Sequence, residues 1–412
     1  MDSIELIKNF ETELTEQFKK IDDIAYENEK KVLNAFKDLK ISLRHFSGTT
    51  GYGYDDIGRD ALNNLYAKVF GAEKAIVSTG ITCGTHAISL SLFGILRPGD
   101  TFLSITGNPY DTLIDTIADH EFDIGTLRDF NIYFEKVDLT KNGRFDLDLI
   151  KEKMLKCNPK MVYIQRSRGY DNRDALSIDE LEKICSYVKN INPQVIIFVD
   201  NCYGEFIETK EPCEIGADII AGSLIKNPGG TIVPTGGYIA GKNDFIEKIS
   251  ARLTNPSLKL EVGSYEMGYR LFYQGLFIAP HVVAGAIKGS LLLSKTMNYL
   301  GIKTVPGFDE KSSDIIRSIY FEDKEKLINF CKIVQSLSPV DSYVTPEPWE
   351  MPGYTHKVIM AAGCFVQGAS LELSCDAPIK PPYICYFQGG ITYEHVKIIC
   401  EEILNKIEIT NQ

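Results

Sequence analysis

The sequence predicts an α/β fold, with a mostly parallel sheet in a large domain followed by a smaller α+β domain. From Ala61 onward, short apolar segments rich in β-branched residues alternate with amphipathic segments, which is typical of a parallel sheet covered by helices. The chain has 412 residues, more than one compact core usually holds, so two domains are expected. Its 44% hydrophobic and 24% charged residues are ordinary for a globular protein with a sizeable core.

The patterns divide the chain into three segments. Residues 1–46 are predicted to be a helical segment, because Ile4 to Leu39 is charged, helical in its hydrophobic period and free of Gly and Pro. Residues 47–290 are expected to form the large domain. Residues 291–412 are expected to form the small domain, which ends in a charged helix from Tyr393 to Ile407.

The chain is acidic, with a formal net charge of −12. This charge repels nucleic acid and anionic lipid, and no basic cluster offsets it, so we expect a small-molecule substrate and no nucleic-acid or membrane partner. The apolar stretch from Ile278 to Leu293 contains a histidine and a lysine and is too short to cross a bilayer, which favours a buried helix. The N-terminus lacks the apolar run of a signal peptide, so a cytoplasmic protein is expected.

Ten cysteines are scattered along the chain without a CxxC pair or a histidine-rich cluster. No metal site is therefore predicted. We expect free thiols in a reducing cytosol.

Five segments are predicted to be strands, and polar or glycine residues close them. Ligands of parallel sheets bind beyond the carboxyl ends of the strands, so functional residues are expected there. The predicted strands are Ala75–Ser78, Thr101–Ile105, Met161–Gln165, Val195–Asp200 and Asp218–Ser223.

The segment from Thr82 to Ser89 follows the first predicted strand and opens an apolar helix from Ala87 to Leu96. The free N–H groups and the dipole of a helix start favour a phosphate, and Gly84 would let it approach the backbone closely. An ordinary strand–turn–helix unit would have the same local sequence, so this segment gains weight only in combination with others.

Asp200 ends the fourth predicted strand, and Lys226 follows the fifth on a turn rich in Gly and Pro. A carboxylate at this place can hydrogen-bond a pyridinium N–H and keep the ring an electron sink. A lysine in a desolvated cleft loses its proton more easily, which imine formation requires. Taken singly, Asp200 is more typical of a turn or helix cap, and Lys226 is more typical of a surface loop. Their separation of 26 positions (226 − 200), with the glycine loop upstream, makes the combination more specific.

With these elements in this order, the sequence resembles the fold-type I pyridoxal 5′-phosphate (PLP) enzymes of the cystathionine/methionine lyase group. More specifically, it resembles the branch of methionine γ-lyase-like or aluminium resistance proteins. The resemblance runs from about Ser47 to the C-terminus and implies an aspartate aminotransferase-like large domain with a seven-stranded sheet. The segments that carry it are Gly222–Gly230, Tyr163–Tyr170, Gln274–Pro280, Met351–Tyr354, Val358–Gly363 and Gln367–Ser374.

The resemblance implies the residues that hold the cofactor. Lys226 would carry PLP as a Schiff base and move the substrate proton. Asp200 would pair with the pyridine nitrogen. Gly84 and Thr85 would give backbone N–H groups to the phosphate, and Ser223 would add its hydroxyl.

Two tyrosines complete the site that the resemblance implies. Tyr110 would stack on the cofactor ring, and its hydroxyl could protonate the leaving group. Tyr54 would reach the phosphate in the neighbouring subunit. A homodimer would then be the minimal active unit, and the lyase group is usually homotetrameric.

Some residues depart from the pattern of the lyase group. Asp56 stands where the group has an arginine, and Ile225 where it often has a threonine, so two phosphate donors are missing. Arg166, Arg168 and Arg173 follow a predicted strand and could replace them, although a salt-bridged loop would have the same sequence.

The substrate carboxylate requires a cation, for which an arginine is best suited. In the branch that this chain resembles, an arginine commonly follows the Asp-x-Pro-hydrophobic turn of the small domain. Lys380 stands there in this chain. We expect either Lys380 or an upstream arginine such as Arg168 to bind the carboxylate.

The predicted function is that of a PLP-dependent carbon–sulfur lyase. The substrate would be a sulfur amino acid such as cystathionine, cysteine or a methionine-like compound, and a thiol would leave from Cβ or Cγ. Other PLP chemistry (an aldolase, racemase or aminotransferase) stays open, because the reaction type depends on which bond at Cα is held perpendicular to the ring. A non-catalytic PLP-binding protein of stress response is a further alternative.

Overall fold

A computed structural model describes residues 2–117, 124–171, 173–351 and 356–407. Within these ranges the chain folds into a seven-stranded sheet and a five-stranded sheet, each covered by helices. Most of the segment Met351–Tyr354, which belongs to the family resemblance, lies outside the described residues.

The large sheet has the strand order β1-β7-β6-β5-β4-β2-β3. The strand β7 runs antiparallel to both of its neighbours, and the other pairings are parallel. The predicted mostly parallel α/β sheet is therefore confirmed. Its strands are β1 (Lys74–Ser78), β2 (Thr101–Ser104), β3 (Tyr133–Lys136), β4 (Met161–Gln165), β5 (Ile196–Asp200), β6 (Ile219–Ser223) and β7 (Gly237–Gly241).

Apolar side chains cover both faces of the large sheet. Successive residues of β5 enter two different cores: Ile197 and Val199 face one, whereas Ile196 and Phe198 face the other. This explains why the central strands are continuous apolar runs in the sequence rather than alternating ones.

Eleven α-helices lie within the described ranges. They are α1 (Ser3–Glu13), α2 (Thr15–Asp38), α3 (Ile57–Val69), α4 (Gly84–Ile95), α5 (Asp111–Ile117), α6 (Leu147–Cys157), α7 (Ile178–Ile191), α8 (Asn243–Leu253), α9 (Arg270–Tyr299), α10 (Lys324–Ser336) and α11 (Tyr393–Lys406).

The small sheet is antiparallel throughout, with the strand order β10-β11-β12-β9-β8. Together with α10 and α11 it forms the predicted smaller α+β unit. Its strands are β8 (Lys303–Val305), β9 (Ile316–Tyr320), β10 (Val358–Ala362), β11 (Ser374–Pro378) and β12 (Ile384–Gln388).

The long helix α9 connects the two units. Its buried residues up to Ile287 belong to the core of the large sheet, and those from Leu291 onward belong to the core of the small sheet. By length and composition α9 could cross a membrane, but 67% of its apolar window is buried inside the protein, as in the core helix of a globular domain. The boundary proposed at residue 290 thus falls inside a continuous helix.

The predicted N-terminal helical segment consists of two helices, α1 and α2. The break is at Leu14, which is buried with Ile7 and Phe10 in the core of the small sheet. The second helix instead contributes Val32 and Ala35 to the core of the large sheet. The segment is therefore bound to both units.

Candidate active site

The carboxyl ends of β4, β5 and β6 and the start of α4 line a cavity of about 730 Å³. Small-molecule sites of proteins have volumes of this order. The small unit closes the cavity from the other side with Gly368, Lys380 and Gln388. Among the described residues, no cluster of histidine, cysteine or carboxylate side chains could hold a metal ion.

Asp200 is held in a fixed orientation at the floor of this cavity. One carboxylate oxygen accepts from the backbone N–H of Cys202 at 3.1 Å, and the other accepts from the hydroxyl of Tyr163 at 3.3 Å. Burial raises the pKa of Asp200, whereas the charge of Lys226 and these hydrogen bonds lower it in part. The carboxyl is therefore well placed to receive a cationic N–H group from the cavity.

Lys226 follows β6, the neighbour of β5 in the sheet, and precedes the turn Asn227–Gly229; its charge interacts with Asp200. Its Nζ lies 3.9 Å from the centre of the Tyr203 ring, a cation–π contact. Burial alone lowers the pKa of Lys226, but the acidic groups Cys202, Tyr203 and Asp200 raise it, and the pKa lies well above the usual value. In the protein without a cofactor, Lys226 therefore holds its proton more firmly than an ordinary lysine. The prediction of easier proton loss is wrong in this state, because it considered burial and not the neighbouring acidic groups.

The start of α4 forms a cradle for an anion. Cys83 caps the helix, and its sulfur accepts from the backbone N–H of His86. The N–H groups of Gly84 and Thr85 precede the first bonds within the helix and face no intrahelical acceptor. A Cβ on Gly84 would lie 3.2 Å from the sulfur of Cys202 and 3.5 Å from the Cβ of Ser223, so glycine keeps the space at this point open.

Tyr110 also lines the cavity. Its backbone N–H donates to the side chain of Gln165 at 3.0 Å, and its hydroxyl donates to Thr85 at 3.0 Å. Burial raises its pKa far above the usual value, and the charge of Asp200 adds to this. The phenol is therefore protonated at neutral pH and can act only as a proton donor.

The three arginines after β4 are placed differently from one another. Arg166 is completely buried, and its nitrogens donate to Leu176, Asn201 and Glu208, which contradicts its candidacy as a phosphate donor.

Arg168 and Arg173 do line the cavity. Arg173 nevertheless donates to the carbonyl oxygen of Gln165 at 2.9 Å. In Arg168, Nη1 donates to the carbonyl oxygen of Val305 at 2.8 Å, and Nε lies 3.7 Å from a carboxylate oxygen of Asp314. The Arg173 guanidinium is thus largely occupied by protein contacts. In Arg168 the buried Nε and Nη2 have no hydrogen-bond partner within the described residues.

Lys380 is exposed, and it lines the cavity together with Asp111. Burial raises the pKa of Asp111, and the charge of Lys380 opposes this shift, so the two side chains interact electrostatically. The roles of Lys380 and Arg168 toward a substrate carboxylate stay predictions.

Tyr54 is 56% exposed, stacks on Tyr52 and is not among the residues that line the cavity of its own chain. Its predicted role in a neighbouring subunit stays a prediction. Asp56, at the position where the lyase group has an arginine, caps α3 through the N–H of Arg59 and accepts from the hydroxyl of Tyr269 at 2.7 Å. This departure is explained by local structure.

Four further residues of the site were not identified from the sequence. Gln165 and Tyr163 belong to β4, and Cys202 and Tyr203 lie two and three positions after Asp200. Extending the strand-end rule to the last residues of β4 and to the turn after β5 would have found them.

Comparison with known proteins agrees with this geometry. A family model described as methionine gamma-lyase matches residues 3–408. The chain belongs to this family. An uncharacterized protein of Bacillus subtilis, YnbB, is 50% identical over 389 residues, which are 93% of this chain and 92% of that protein.

Solved structures of family members superpose closely. A Listeria monocytogenes protein, provisionally named a cystathionine beta-lyase involved in aluminum resistance, is 49% identical with a TM-score of 0.95, over 97% of this chain and 99% of that one. A Clostridium novyi protein, named a carbon-sulfur lyase involved in aluminum resistance, is 50% identical with a TM-score of 0.94, over 98% and 96% of the two chains.

A more distant match identifies the fold. The PLP-dependent protein YhfS of Escherichia coli is 17% identical with a TM-score of 0.63, over 93% of this chain and 96% of that one. The fold-type I architecture predicted from the sequence is thereby confirmed.

Proposed function

We propose that this chain is a PLP-dependent carbon–sulfur lyase that acts on a sulfur amino acid by β- or γ-elimination. The observation that carries the proposal is the convergence of Lys226, Asp200 and the start of α4 at Gly84 on one cavity. The names of the related lyases support the reaction class.

The residues of the cavity suit PLP. Gly84 and Thr85 offer N–H groups for the phosphate in a cradle that a Cβ would narrow, and Ser223 lies next to it. Asp200, held by two hydrogen bonds, can receive the pyridinium N–H. When bound, PLP supplies the electron sink that stabilises negative charge at Cα.

Three residues of the chain would then have separate roles in binding and proton transfer. Lys226 holds the cofactor covalently and afterwards carries the proton from the substrate Cα on its Nζ. Asp200 keeps the proton on the ring nitrogen. Tyr110, protonated and fixed by Gln165 and Thr85, gives a proton to the leaving sulfur.

The substrate carboxylate would bind Lys380 or Arg168, since both line the cavity.

We also propose a homodimer as the minimal active unit, to which the exposed Tyr54 contributes, and a homotetramer as its further assembly. A cytoplasmic location is supported by the ten cysteines, all of which are free thiols, as in a reducing compartment.

A variant of the lysine tests the cofactor assignment. The purified protein is expected to be yellow and to bleach with borohydride, whereas Lys226→Ala loses both the covalent attachment and turnover. Lys242→Ala is a matched control. This lysine follows β7, forms an ion pair with Asp218 and does not line the cavity. A normal PLP spectrum with full turnover in Lys226→Ala would contradict the assignment.

A substrate panel tests the reaction. Release of pyruvate or 2-oxobutyrate together with a thiol from cystathionine, cysteine or methionine is expected. Racemised amino acid, an amino acid formed from a keto acid, or aldehyde release would instead indicate a racemase, an aminotransferase or an aldolase. PLP binding without any spectral response to amino acids would favour the non-catalytic alternative.

A further inference from the structure

A buried polar network lies behind the cavity, in the turn after β5. Its central residue is Glu205, completely buried and five positions after Asp200. The backbone carbonyl of Glu205 accepts from the side-chain amide of Asn227 at 3.0 Å. Because Asn227 follows Lys226 directly, this bond fastens the turn after β5 to the turn after β6.

The carboxyl of Glu205 is paired with Tyr238 of β7. The tyrosine hydroxyl donates to Oε1 of Glu205 at 2.8 Å. Gly222 of β6 pairs with Tyr238 across the sheet, and a Cβ on Gly222 would lie 2.5 Å from the tyrosine ring and 2.7 Å from Oε1 of Glu205. The strand that leads to Lys226 thus has a glycine where the phenol and carboxyl require the space.

The same network reaches Asp200 through the next residue, Asn201. The amide nitrogen of Asn201 donates to Tyr238 at 3.4 Å and to Glu211 at 3.0 Å, and its oxygen accepts from Arg166 at 2.8 Å. Asp200 and Lys226, which would bind the cofactor, are therefore each followed directly by an asparagine that is hydrogen-bonded to this network.

The proton on Glu205 is governed by its surroundings. Its Oε2 has no hydrogen-bond partner in the part of the chain that the structure describes. Burying a carboxylate oxygen without a partner costs free energy, which disfavours the charged form. Burial raises the pKa of Glu205 to about 8, against the hydrogen bond from Tyr238 and the charge of Lys226. The titratable groups that face it are Tyr66, Tyr238, Cys202, Glu211 and Lys226.

We propose that Glu205 is a positioning residue for the Lys226–Asp200 pair. It holds the two strand ends together and, by gaining or losing its proton, changes the charge that the Lys226 nitrogen experiences. The role rests on the proposed function in one respect, that Lys226 carries the cofactor.

The charge of the Glu205 carboxyl determines in which direction the pKa of the Lys226 nitrogen changes. Below about pH 8 the carboxyl is neutral and exerts no charge on Lys226. Above it, the carboxylate favours a proton on the Lys226 nitrogen. Glu205→Gln keeps the shape and the acceptor for Tyr238 but cannot ionise, so the Lys226 nitrogen should lose its proton at lower pH.

The test is a pH titration of the absorption of bound PLP in the purified holoenzyme, from about pH 6 to 10, a range that brackets the pKa of about 8 of Glu205. In Glu205→Gln, the midpoint of the transition is expected to fall by up to about one pH unit, the lower end of the effect of an opposite charge within about 4–6 Å. Glu205→Asp restores an ionisable group and should recover at least half of the shift. Glu208→Gln is the matched control, since this largely buried carboxylate of the same turn binds Arg166 and Lys311 and should leave the midpoint unchanged.

A second variant covers the case in which Glu205→Gln does not fold. Tyr238→Phe removes the hydrogen bond that favours the carboxylate, so it should lower the midpoint in the same direction. An intact PLP band with an unchanged midpoint in these variants would overturn the role of Glu205 alone. Absence of the band in the wild type would overturn the proposed function and this role with it.

Discussion

At the scale of single residues, Tyr110 is the side chain whose chemistry can be separated most cleanly from its packing. Tyr110→Phe keeps the ring and removes the hydroxyl. If this hydroxyl protonates the leaving sulfur, elimination should slow by roughly 100- to 10,000-fold, the usual contribution of a general acid. The lost bond to Thr85 should weaken PLP binding only by about fivefold, equivalent to about 1 kcal/mol.

Thr112→Ala is the control for this prediction. It removes a second contact of the Thr85 hydroxyl, at 3.2 Å, and leaves the phenol in place. Single-turnover rates and PLP dissociation constants of both variants give the comparison. Equal and small losses of elimination rate in the two variants would show that Tyr110 only orients Thr85.

The same scale shows what the sequence could predict about the site. Strand-end position and chain order were sufficient to bring Lys226, Asp200 and Gly84 to one cavity. They failed for Arg166, because a position after a strand does not reveal toward which side the side chain points. Glu205 was missed for a related reason, since only the folded turn shows that its carboxyl lies behind both strand ends.

At the scale of elements, the turn after Lys226 rests on α9. Gly275 of this helix contacts the turn directly: a Cβ there would lie 2.4 Å from the carbonyl oxygen of Gly229 and 2.8 Å from Val233. Because the first contact is with backbone, the turn itself must move to admit a methyl group. Gly275→Ala should therefore destabilise the protein by about 1–3 kcal/mol, as overpacking does, and lower its affinity for PLP.

Gly285→Ala is a control within the same helix. A Cβ at Gly285 would meet only a backbone nitrogen of Tyr393 at 3.8 Å, an ordinary contact. Alanine is the better helix former, so this variant should be unchanged or more stable by up to about 1 kcal/mol. Denaturant unfolding and PLP titration measure both effects, and equal stabilities of the two variants would refute the proposed contact.

The elements that the sequence missed have physical reasons. The edge strand β3 (Tyr133–Lys136) is partly exposed and carries two charged residues, so it lacks the apolar run of a central strand. The strand β7 begins and ends with glycine, which reads as a turn in the sequence. The break at Leu14 is marked by neither Gly nor Pro, and only the packing of Leu14 into the core of the small sheet reveals it.

At the scale of the whole molecule, the segment after β4 joins the two units at the cavity. The hydroxyl of Ser167 donates to Asp314 at 3.1 Å, and that of Tyr170 donates to Asp376 at 2.7 Å. The hydroxyl of Tyr386 donates to the backbone carbonyl of Tyr170 at 2.7 Å. Movement of the small unit would therefore pull on the strand end that positions Gln165 and, through it, Tyr110.

The last prediction concerns the proposed homodimer, because Tyr54 does not line the cavity of its own chain and is proposed to serve that of its partner. Tyr54→Ala and Lys226→Ala should each be poorly active alone. If the two variants are unfolded together and refolded, half of the dimers contain one chain of each kind, and one of their two sites combines an intact Lys226 with an intact Tyr54. In a twofold-symmetric dimer, about one quarter of the wild-type activity per chain should therefore return. Full activity of Tyr54→Ala alone, or no recovery on mixing, would show that each chain completes its own site.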